Sequence, residues 1–398
     1  GAVGTLAIDT GEDVPDTTEV LLTNVHPEAV ATVELIAGES TFASSCQTSA
    51  SRTVCSTAPA GSCPSATLVR SGTVTVNDTE RALLPAQALL RVPLRPCART
   101  IVRVDIPEAS RLEPLRFLVI GKARGVRDLD DALLVAHTDG PDVDFILLPG
   151  DALDDVTLPL EQFYDELLEL STPVLLVQGV EEFNAIATSS GPRATELARV
   201  FGAQEFIVTV KDVQLVSYFS LFDQLGRDEP FRRLKAYLNT ALTQNNRFVS
   251  ELDATSSPAD IPTARRIERL NELRALNPGG PTPRYFPILA VSYVPPFDSD
   301  PARNQGMLSQ QQAARTMSLL ASNGVDSLFT GRVDDNSSTL TARPITHITS
   351  ISDPRAPAFL DVTLTFEEDT ELATQPDTLD ARRVGSRFMV VRRREAPP

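Results

Sequence analysis

The hydrophobic positions between residues 116 and 155 follow the pattern of a strand, a helix and a second strand. Two apolar runs, 117–120 and 144–149, each end at a glycine. Between them Asp128 can cap a helix, and the apolar residues after it recur at helical spacing as Leu129, Ala132, Leu133 and Ala136. Two buried strands joined by a helix predict a parallel sheet, whose ligands usually bind at the carboxyl ends of the strands.

The same alternation continues towards the end of the chain. Further strands are predicted at 173–178, 205–210, 213–220, 286–292, 325–330, 345–351, 359–366 and 387–391, and amphipathic helices at 227–242, 264–276 and 307–321. Lys211-Asp212 is predicted to turn a hairpin. Five strand ends, near residues 120, 149, 178, 292 and 330, are predicted to meet at one rim.

The first hundred residues have a different pattern, in which short alternating segments are separated by turn residues at fairly regular intervals. These segments are 5–8, 19–23, 31–36, 66–70, 73–76, 88–92 and 100–106. They predict an antiparallel, immunoglobulin-like β-sandwich. The segment 44–65, rich in Ser, Thr, Ala and Cys, is predicted to be a loop. We therefore expect a β-sandwich domain at 1–110 and an α/β domain at 115–398.

Each of the five strand ends carries a short motif, and in chain order these read GKARG, GDALD, GVEEF, YVPP and GRVD. Their order and placement resemble the calcineurin-like metallophosphoesterases, whose motifs run Gly-Asp-x-His-Gly, Gly-Asp-x-x-Asp, Gly-Asn-His-Glu, His-x-Pro-Pro and Gly-His-x-His. The resemblance covers roughly residues 115–392 and implies a four-layer α/β/β/α sandwich. A β-sandwich in front of such a domain is similar to the arrangement in purple acid phosphatases.

The resemblance also implies where two divalent metals and their activated water would lie in an active member. The corresponding positions in this sequence are Lys122, Arg124, Asp151, Asp154, Val180, Glu181, Tyr293, Arg332 and Asp334. Asp151 matches the bridging ligand of the family, whereas cations, valine, glutamate and tyrosine replace the other ligands. The three histidines, His26, His137 and His347, fill none of these positions. We therefore expect a degenerate member with no metal and no other cofactor.

The cations at the rim have two interpretations. Lys122, Arg124 and Arg332 could compensate the nearby carboxylates internally, in place of the metals. Alternatively, the same three side chains could bind a small anionic ligand, since Lys and Arg bind phosphate and carboxylate groups well. Most of the remaining arginines are predicted to lie on the surface.

Charge and cysteine placement indicate the cellular setting. A net charge of −17 argues against a nucleic-acid partner, which needs a basic surface. All four cysteines lie in the first hundred residues, at Cys46, Cys55, Cys63 and Cys97. Their spacing lacks a zinc pattern and favours two disulfides, with three pairings open, over buried free thiols. We therefore expect an extracytoplasmic location, secreted, periplasmic or at the cell surface, and the sequence leaves open whether a leader or lipid-bearing segment was removed.

Two functions remain open from the sequence. The first is a non-catalytic phosphoesterase-like protein, an exported lipoprotein or secreted protein that binds an unidentified protein or small anion in a surface assembly and can form oligomers. The alternative is a hydrolase with one metal held by Asp151, Asp154, Glu181 and Asp334, or with a metal-free site. Three cations beside that acidic group would repel a metal ion, which favours the first function.

Overall fold

The computed structural model describes most of the predicted strands and part of the loops between them. The described residues are 2–10, 15–22, 30–37, 51–54, 66–70, 72–76, 79–85, 87–94, 98–105, 113–121, 126–138, 142–150, 152, 160–177, 179, 205–211, 213–218, 231–239, 287–294, 310–331, 340–342, 345–349, 358–385 and 387–395. The chain divides into two compact units, Gly1–Arg111 and Leu112–Pro398.

The first unit consists of antiparallel β-strands. They are β1 (Ala2–Asp9), β2 (Thr17–Leu22), β3 (Val30–Ala37), β4 (Ser51–Val54), β5 (Thr67–Val69), β6 (Thr73–Val76), β7 (Thr79–Ala82), β8 (Ala88–Pro93) and β9 (Ala98–Asp105). One sheet has the order β1-β9-β3-β4, a second has the order β2-β8-β5, and β6 pairs with β7. Val33 and Val102 of the four-stranded sheet share a buried cluster with Leu90 and Val92 of the three-stranded sheet.

Two strands of this unit were not expected from the sequence. β4 lies inside the segment 44–65 that was predicted to be a loop, and it pairs with β3 from Glu34↔Val54 to Ala37↔Ser51. β4 (Ser-Arg-Thr-Val) has a single hydrophobic residue and therefore no alternation of apolar and polar positions, so the partner strand rather than the local sequence defines it. The same reason applies to β7, which forms a hairpin with β6.

Within the described residues, the second unit contains two six-stranded mixed sheets. Its strands are β10 (Leu115–Val119), β11 (Phe145–Leu148), β12 (Val174–Leu176), β13 (Ile207–Val210), β14 (Val213–Ser217), β15 (Ile288–Ser292), β16 (Ser327–Thr330), β17 (Leu340–Ala342), β18 (Ile345–Thr349), β19 (Ala358–Thr365), β20 (Thr378–Val384) and β21 (Arg387–Glu395). Its helices are α1 (Val126–Thr138), α2 (Leu160–Glu169), α3 (residues 231–239), α4 (Gln310–Ser322) and α5 (Thr370–Ala373). Sheet I has the order β12-β11-β10-β19-β21-β20, and sheet II the order β13-β14-β15-β16-β18-β17.

The parallel pairings agree with the strand and helix pattern of the sequence. In sheet I, β10 pairs with β11 and β11 with β12, all parallel. In sheet II, β14 to β16 are also parallel. The four apolar positions predicted for the first helix are buried, namely Leu129, Ala132, Leu133 and Ala136. The helix begins at Val126, however, so Asp128 lies in its first turn and the prediction that it caps the helix is wrong.

Alternate residues of both sheets point into one shared core. Phe117 and Phe145 of sheet I stack with ring centroids 4.8 Å apart, and Phe329 of sheet II meets Phe117 edge-on at 5.9 Å. Leu289 and Val291 of β15 belong to the same buried cluster. The other face of sheet II packs against helices, and its buried cluster includes Leu234 and Leu238 of α3 and Met317 and Leu320 of α4.

Several elements of the second unit differ from the sequence-based prediction. The hairpin turn at Lys211 is confirmed, with β13 and β14 antiparallel on either side of it. β20 and the short helix α5 were not predicted, because β20 lies at a sheet edge and mixes charged and apolar residues without a clear period. The predicted helix at 264–276 lies outside the described residues. Among the helices the structure describes, none is long and apolar enough to cross a membrane.

Candidate functional site

The carboxyl ends of four parallel strands meet between the two sheets, and we call this place the rim. It is defined by Gly150 after β11, Gly179 after β12, Tyr293 after β15 and Gly331 after β16. Parallel pairing within each sheet brings neighbouring strand ends side by side. Gly150 of sheet I contacts Tyr293 of sheet II, and Gly331 of sheet II contacts Pro149 of sheet I, so both sheets build the rim.

Gly150 and Tyr293 make the closest contact at the rim. Gly150 has a φ of +99°, a conformation that glycine adopts readily and other residues rarely do. A Cβ atom at this position would lie 2.4 Å from Cδ2 of Tyr293 and 2.9 Å from Cα of Gly179. The ring of Tyr293, which is 4% exposed, therefore packs directly on the backbone of the strand ends of sheet I.

A second contact joins the sheets beside the first one. A Cβ atom on Gly331 would lie 2.4 Å from the carbonyl oxygen of Pro149. The amide of Gly331 donates a hydrogen bond to the carbonyl oxygen of Tyr293 at 3.3 Å. Pro149 and Tyr293 thus hold the backbone of Gly331 in place. Neither Gly150 nor Gly331 has room for a larger side chain.

The end of β10 lies beside these strand ends within sheet I. Ile120 donates its backbone N–H to the carbonyl oxygen of Leu147 at 3.0 Å, and the next residue, Gly121, is buried. Gly121 and Gly150 therefore lie at the same edge of sheet I.

Polar groups near the rim on the helix-facing side of sheet II are buried. Ser292 donates its hydroxyl to the carbonyl oxygen of Val294 at 3.2 Å. The amide of Tyr218 donates to the carbonyl oxygen of Val291 at 3.2 Å. Burial raises the pKa of the Tyr218 phenol above its ordinary value, so this hydroxyl stays protonated at neutral pH.

Of the nine predicted site positions, the structure describes Tyr293 and shows it at the rim. The other eight lie outside the described residues: Lys122, Arg124, Asp151, Asp154, Val180, Glu181, Arg332 and Asp334. The same is true of the four cysteines, Cys46, Cys55, Cys63 and Cys97. The described part of the chain contains no group of three His, Cys, Asp or Glu side chains suited to a metal ion.

The structure also shows buried charges that sequence reasoning missed. Arg116 is 1% exposed and donates from Nε and Nη2 to the two carboxylate oxygens of Asp361, at 2.9 and 2.7 Å. Arg392 shares the Asp361 Oδ2 atom at 2.7 Å. A surface position was predicted for most arginines, and these two are exceptions. Their partner lies on a distant strand, and its position depends on sheet register.

Comparison with known proteins gives partial structural similarity at low identity. No protein-family model and no curated protein sequence matches the chain. The chain is similar to a purple acid phosphatase from yellow lupin (Lupinus luteus) seeds, with a TM-score of 0.42, 12% identity, and coverage of 90% of this chain and 70% of that one. It is also similar to a putative 5'-nucleotidase from Staphylococcus aureus, with a TM-score of 0.40, 12% identity, and coverage of 72% of this chain and 55% of that one.

A third similar structure is a predicted phosphoesterase from Streptococcus pneumoniae. Its TM-score is 0.28 at 7% identity, and the match covers 64% of this chain and 85% of that one. The chain itself is a mixed α/β protein, as its own helices and strand pairings show.

Proposed function

We propose that this chain is a non-catalytic phosphoesterase-like protein that works by binding, as an exported component of a surface assembly. In this proposal the second unit is a four-layer α/β/β/α sandwich that has kept the strand-end rim and lost the reaction. The shared core of sheets I and II and the helices packed on sheet II support that layering.

The observation that carries the proposal is the packing of Tyr293 on Gly150. A hydrolytic centre at the rim needs an open polar space in which water and substrate meet catalytic groups. At Gly150 a buried aromatic ring packs on the strand end instead. Gly150 immediately precedes Asp151, the one family ligand that the sequence keeps, so the ring lies next to the place where a metal would be needed.

The residues at the other motif positions also do not fit a two-metal centre. Metal sites of this kind use imidazole, amide and carboxylate donors, whereas this sequence has Lys122, Arg124 and Arg332 at three of the positions. Cationic groups repel a divalent ion and offer it no lone pair. The residues at these positions therefore do not support a metal-dependent reaction.

The purified full-length chain tests the proposal by metal analysis and phosphatase assay. Elemental analysis after incubation with manganese, zinc or iron should show no stoichiometric metal, and phosphomonoesters and diesters should not be hydrolysed above the blank. A metal bound at one or more ions per chain, lost together with turnover in Asp151→Ala, would instead establish the hydrolase. Tyr293→Phe is the matched control for Asp151→Ala. It changes another motif position but keeps the ring on Gly150, so its metal content and turnover should equal those of wild type.

Export is a separate part of the proposal and has its own test. Two disulfides among Cys46, Cys55, Cys63 and Cys97 are expected, each stabilising by about 2 to 4 kcal/mol. Thiol titration of the denatured, unreduced protein should then give close to zero free thiols. Four free thiols would remove the argument for an oxidising compartment and leave the non-catalytic proposal untouched.

A further inference from the structure

The outer edge of sheet I carries a strand with self-complementary charges. Among the described residues, β20 pairs with β21 alone and is the last strand of the sheet. An exposed edge strand offers unpaired backbone groups to another strand. Leu379 of β20 is 40% exposed, and it is one of two large hydrophobic side chains of the described chain that are exposed to this degree.

The register with β21 fixes which side chains of β20 share a face. Asp380 pairs with Val391 and Arg382 with Met389, and both of these partners belong to the core between the sheets. Paired residues in antiparallel strands point to the same side, so Asp380 and Arg382 lie on the core side of the edge. They contact each other, with Arg382 Nε 3.1 Å from Asp380 Oδ2.

We infer that β20 pairs antiparallel with β20 of a second copy of this chain, with Ala381 on the twofold axis, so that the two sheets I become one continuous sheet. A twofold axis perpendicular to the sheet keeps each residue on the face of the sheet that it already occupies. Residues that pair across the axis must therefore point to the same face. This holds only if one residue pairs with its own copy at the axis. This inference concerns the sheet edge and does not depend on whether the rim is catalytic.

Charge complementarity selects the register. Pairing about Ala381 places Asp380 opposite Arg382 of the partner copy, and this contact occurs twice. Pairing about Asp380 would place two carboxylates opposite each other, and pairing about Arg382 would oppose two guanidinium groups. Opposite charges across strands stabilise pairing and like charges destabilise it, so the Ala381 register is the favoured one of the three.

The side chains of Asp380 and Arg382 are already held in position for the contact with the partner copy. Arg382 is held at its position because its Nη2 donates to the backbone carbonyl of Asp326 and to Ser327 Oγ. Asp380 and Arg382 are partly buried, with side chains 14% and 27% exposed. Little side-chain entropy would be lost when the partner strand docks.

Charge reversal of the purified full chain tests the pairing. Wild type should sediment as a concentration-dependent dimer, whereas Asp380→Arg alone and Arg382→Asp alone should each dimerise about tenfold or more weakly, because each opposes like charges. An equimolar mixture of the two variants restores complementarity and should restore the dimer. Glu19→Arg, at an exposed ion pair of the first unit, is the control that should behave as wild type.

Cysteine crosslinking tests the register independently of charge and needs only one conservative change. Ala381→Cys places a thiol opposite its own copy, at a separation that a disulfide can span, and should give a reducible dimer. Arg383→Cys on the same strand lies opposite a different residue and should not crosslink. A wild-type chain that stays monomeric across the concentration series, or equal crosslinking of both variants, overturns the inference.

Discussion

The ammonium of Lys211 lies 2.7 Å from a carboxylate oxygen of Asp144, and this ion pair joins the β13–β14 turn to the residue just before β11. Lys211 Nζ also donates to the carbonyl oxygen of Pro114 at 3.0 Å. The other Asp144 oxygen accepts the backbone N–H of Arg116 at 2.9 Å. These contacts connect sheet II to the start of sheet I, at the end of the strands opposite to the rim.

The turn is kept in an unfavourable backbone conformation by these contacts. Lys211 has a φ of +46°, which costs a residue other than glycine about 1 kcal/mol or more. Arg387 donates from Nη2 to the Lys211 carbonyl oxygen at 2.5 Å, which holds the same residue from the other side. The turn is thus held by the start of sheet I on one side and by Arg387 of β21 on the other.

Removing the ammonium of Lys211 should destabilise the second unit. In Lys211→Met the Asp144 carboxylate, 13% exposed, loses its cation but stays largely buried, which should lower the unfolding free energy by about 3 kcal/mol. Urea unfolding measures the loss. Asp144→Asn keeps an acceptor for the Arg116 amide, and the double variant should lose less than the two single variants together. Additive losses would mean that the two side chains do not interact.

Adding a methyl group at Gly150 should lower the unfolding free energy about as much as removing the ion pair between Lys211 and Asp144. In Gly150→Ala the new Cβ would overlap Tyr293 and Gly179, and the φ of +99° would be strained as well. We expect a loss of about 3 kcal/mol in thermal or urea unfolding. Gly72→Ala measures the cost of backbone strain without steric overlap, because Gly72 has a φ of +140° and no atom lies within 4 Å of the added Cβ.

A double variant separates packing from backbone strain at the rim. Tyr293→Ala removes the ring that Gly150→Ala would overlap, so the methyl group should cost clearly less in that background. An equal cost in both backgrounds would mean that Tyr293 does not press on Gly150, and the observation that carries the proposed function would be lost.

The rim could be predicted from the sequence because each strand that builds it is a short apolar run followed by glycine or a polar motif. The strands β10, β11, β12, β15 and β16 are buried along their length or nearly so, which makes their hydrophobic runs continuous. The contact of Tyr293 with Gly150 could not be predicted, because it joins two sheets whose relative placement depends on the whole core.

Edge and charge features were also beyond the sequence pattern. β20 has intermediate exposure at most positions, so neither face of the strand gives a clear hydrophobic signal. Arg116 and Asp361 lie 245 residues apart in the chain. Their bidentate pair depends on the antiparallel register of β10 with β19, which no local spacing encodes.

Asp326 should make the stability of the second unit depend on pH. Its carboxylate accepts the Ile288 amide at 3.1 Å, and burial raises the pKa of Asp326 to about 7, opposed in part by Ile288 and by Arg382. The folded state then binds more protons than the unfolded state between about pH 4 and pH 7. Stability contributed by this group is present at the acid end and is lost as the pH rises through the folded pKa.

Asp326→Asn removes that pH dependence and keeps an acceptor for Ile288. The variant should gain stability relative to wild type as the pH is raised from 4 to about 7.5. Urea unfolding of wild type and variant across this range measures the difference. A difference that does not change with pH would show that Asp326 is ionised throughout.

Lys122 tests the charge compensation that the proposed function implies. It directly follows Gly121, which lies at the carboxyl end of β10. If its ammonium compensates Asp151, Asp154 and Glu181, an aspartate at this position should harm the protein. Lys122→Asp removes a cation and adds a carboxylate, and an uncompensated cluster of this kind costs on the order of 3 kcal/mol.

Thermal melts of wild type and Lys122→Asp at neutral and acid pH test this compensation. At neutral pH the variant should melt several degrees lower, as expected for such a loss in a domain of this size. The deficit should shrink at acid pH because protonation removes the charges of the carboxylates. Added manganese should recover part of it at neutral pH by supplying the missing positive charge, whereas Lys235→Asp on the exposed side of α3 should not respond. Equal melting temperatures at neutral pH would identify Lys122 as a solvated side chain, and the compensation idea would be wrong.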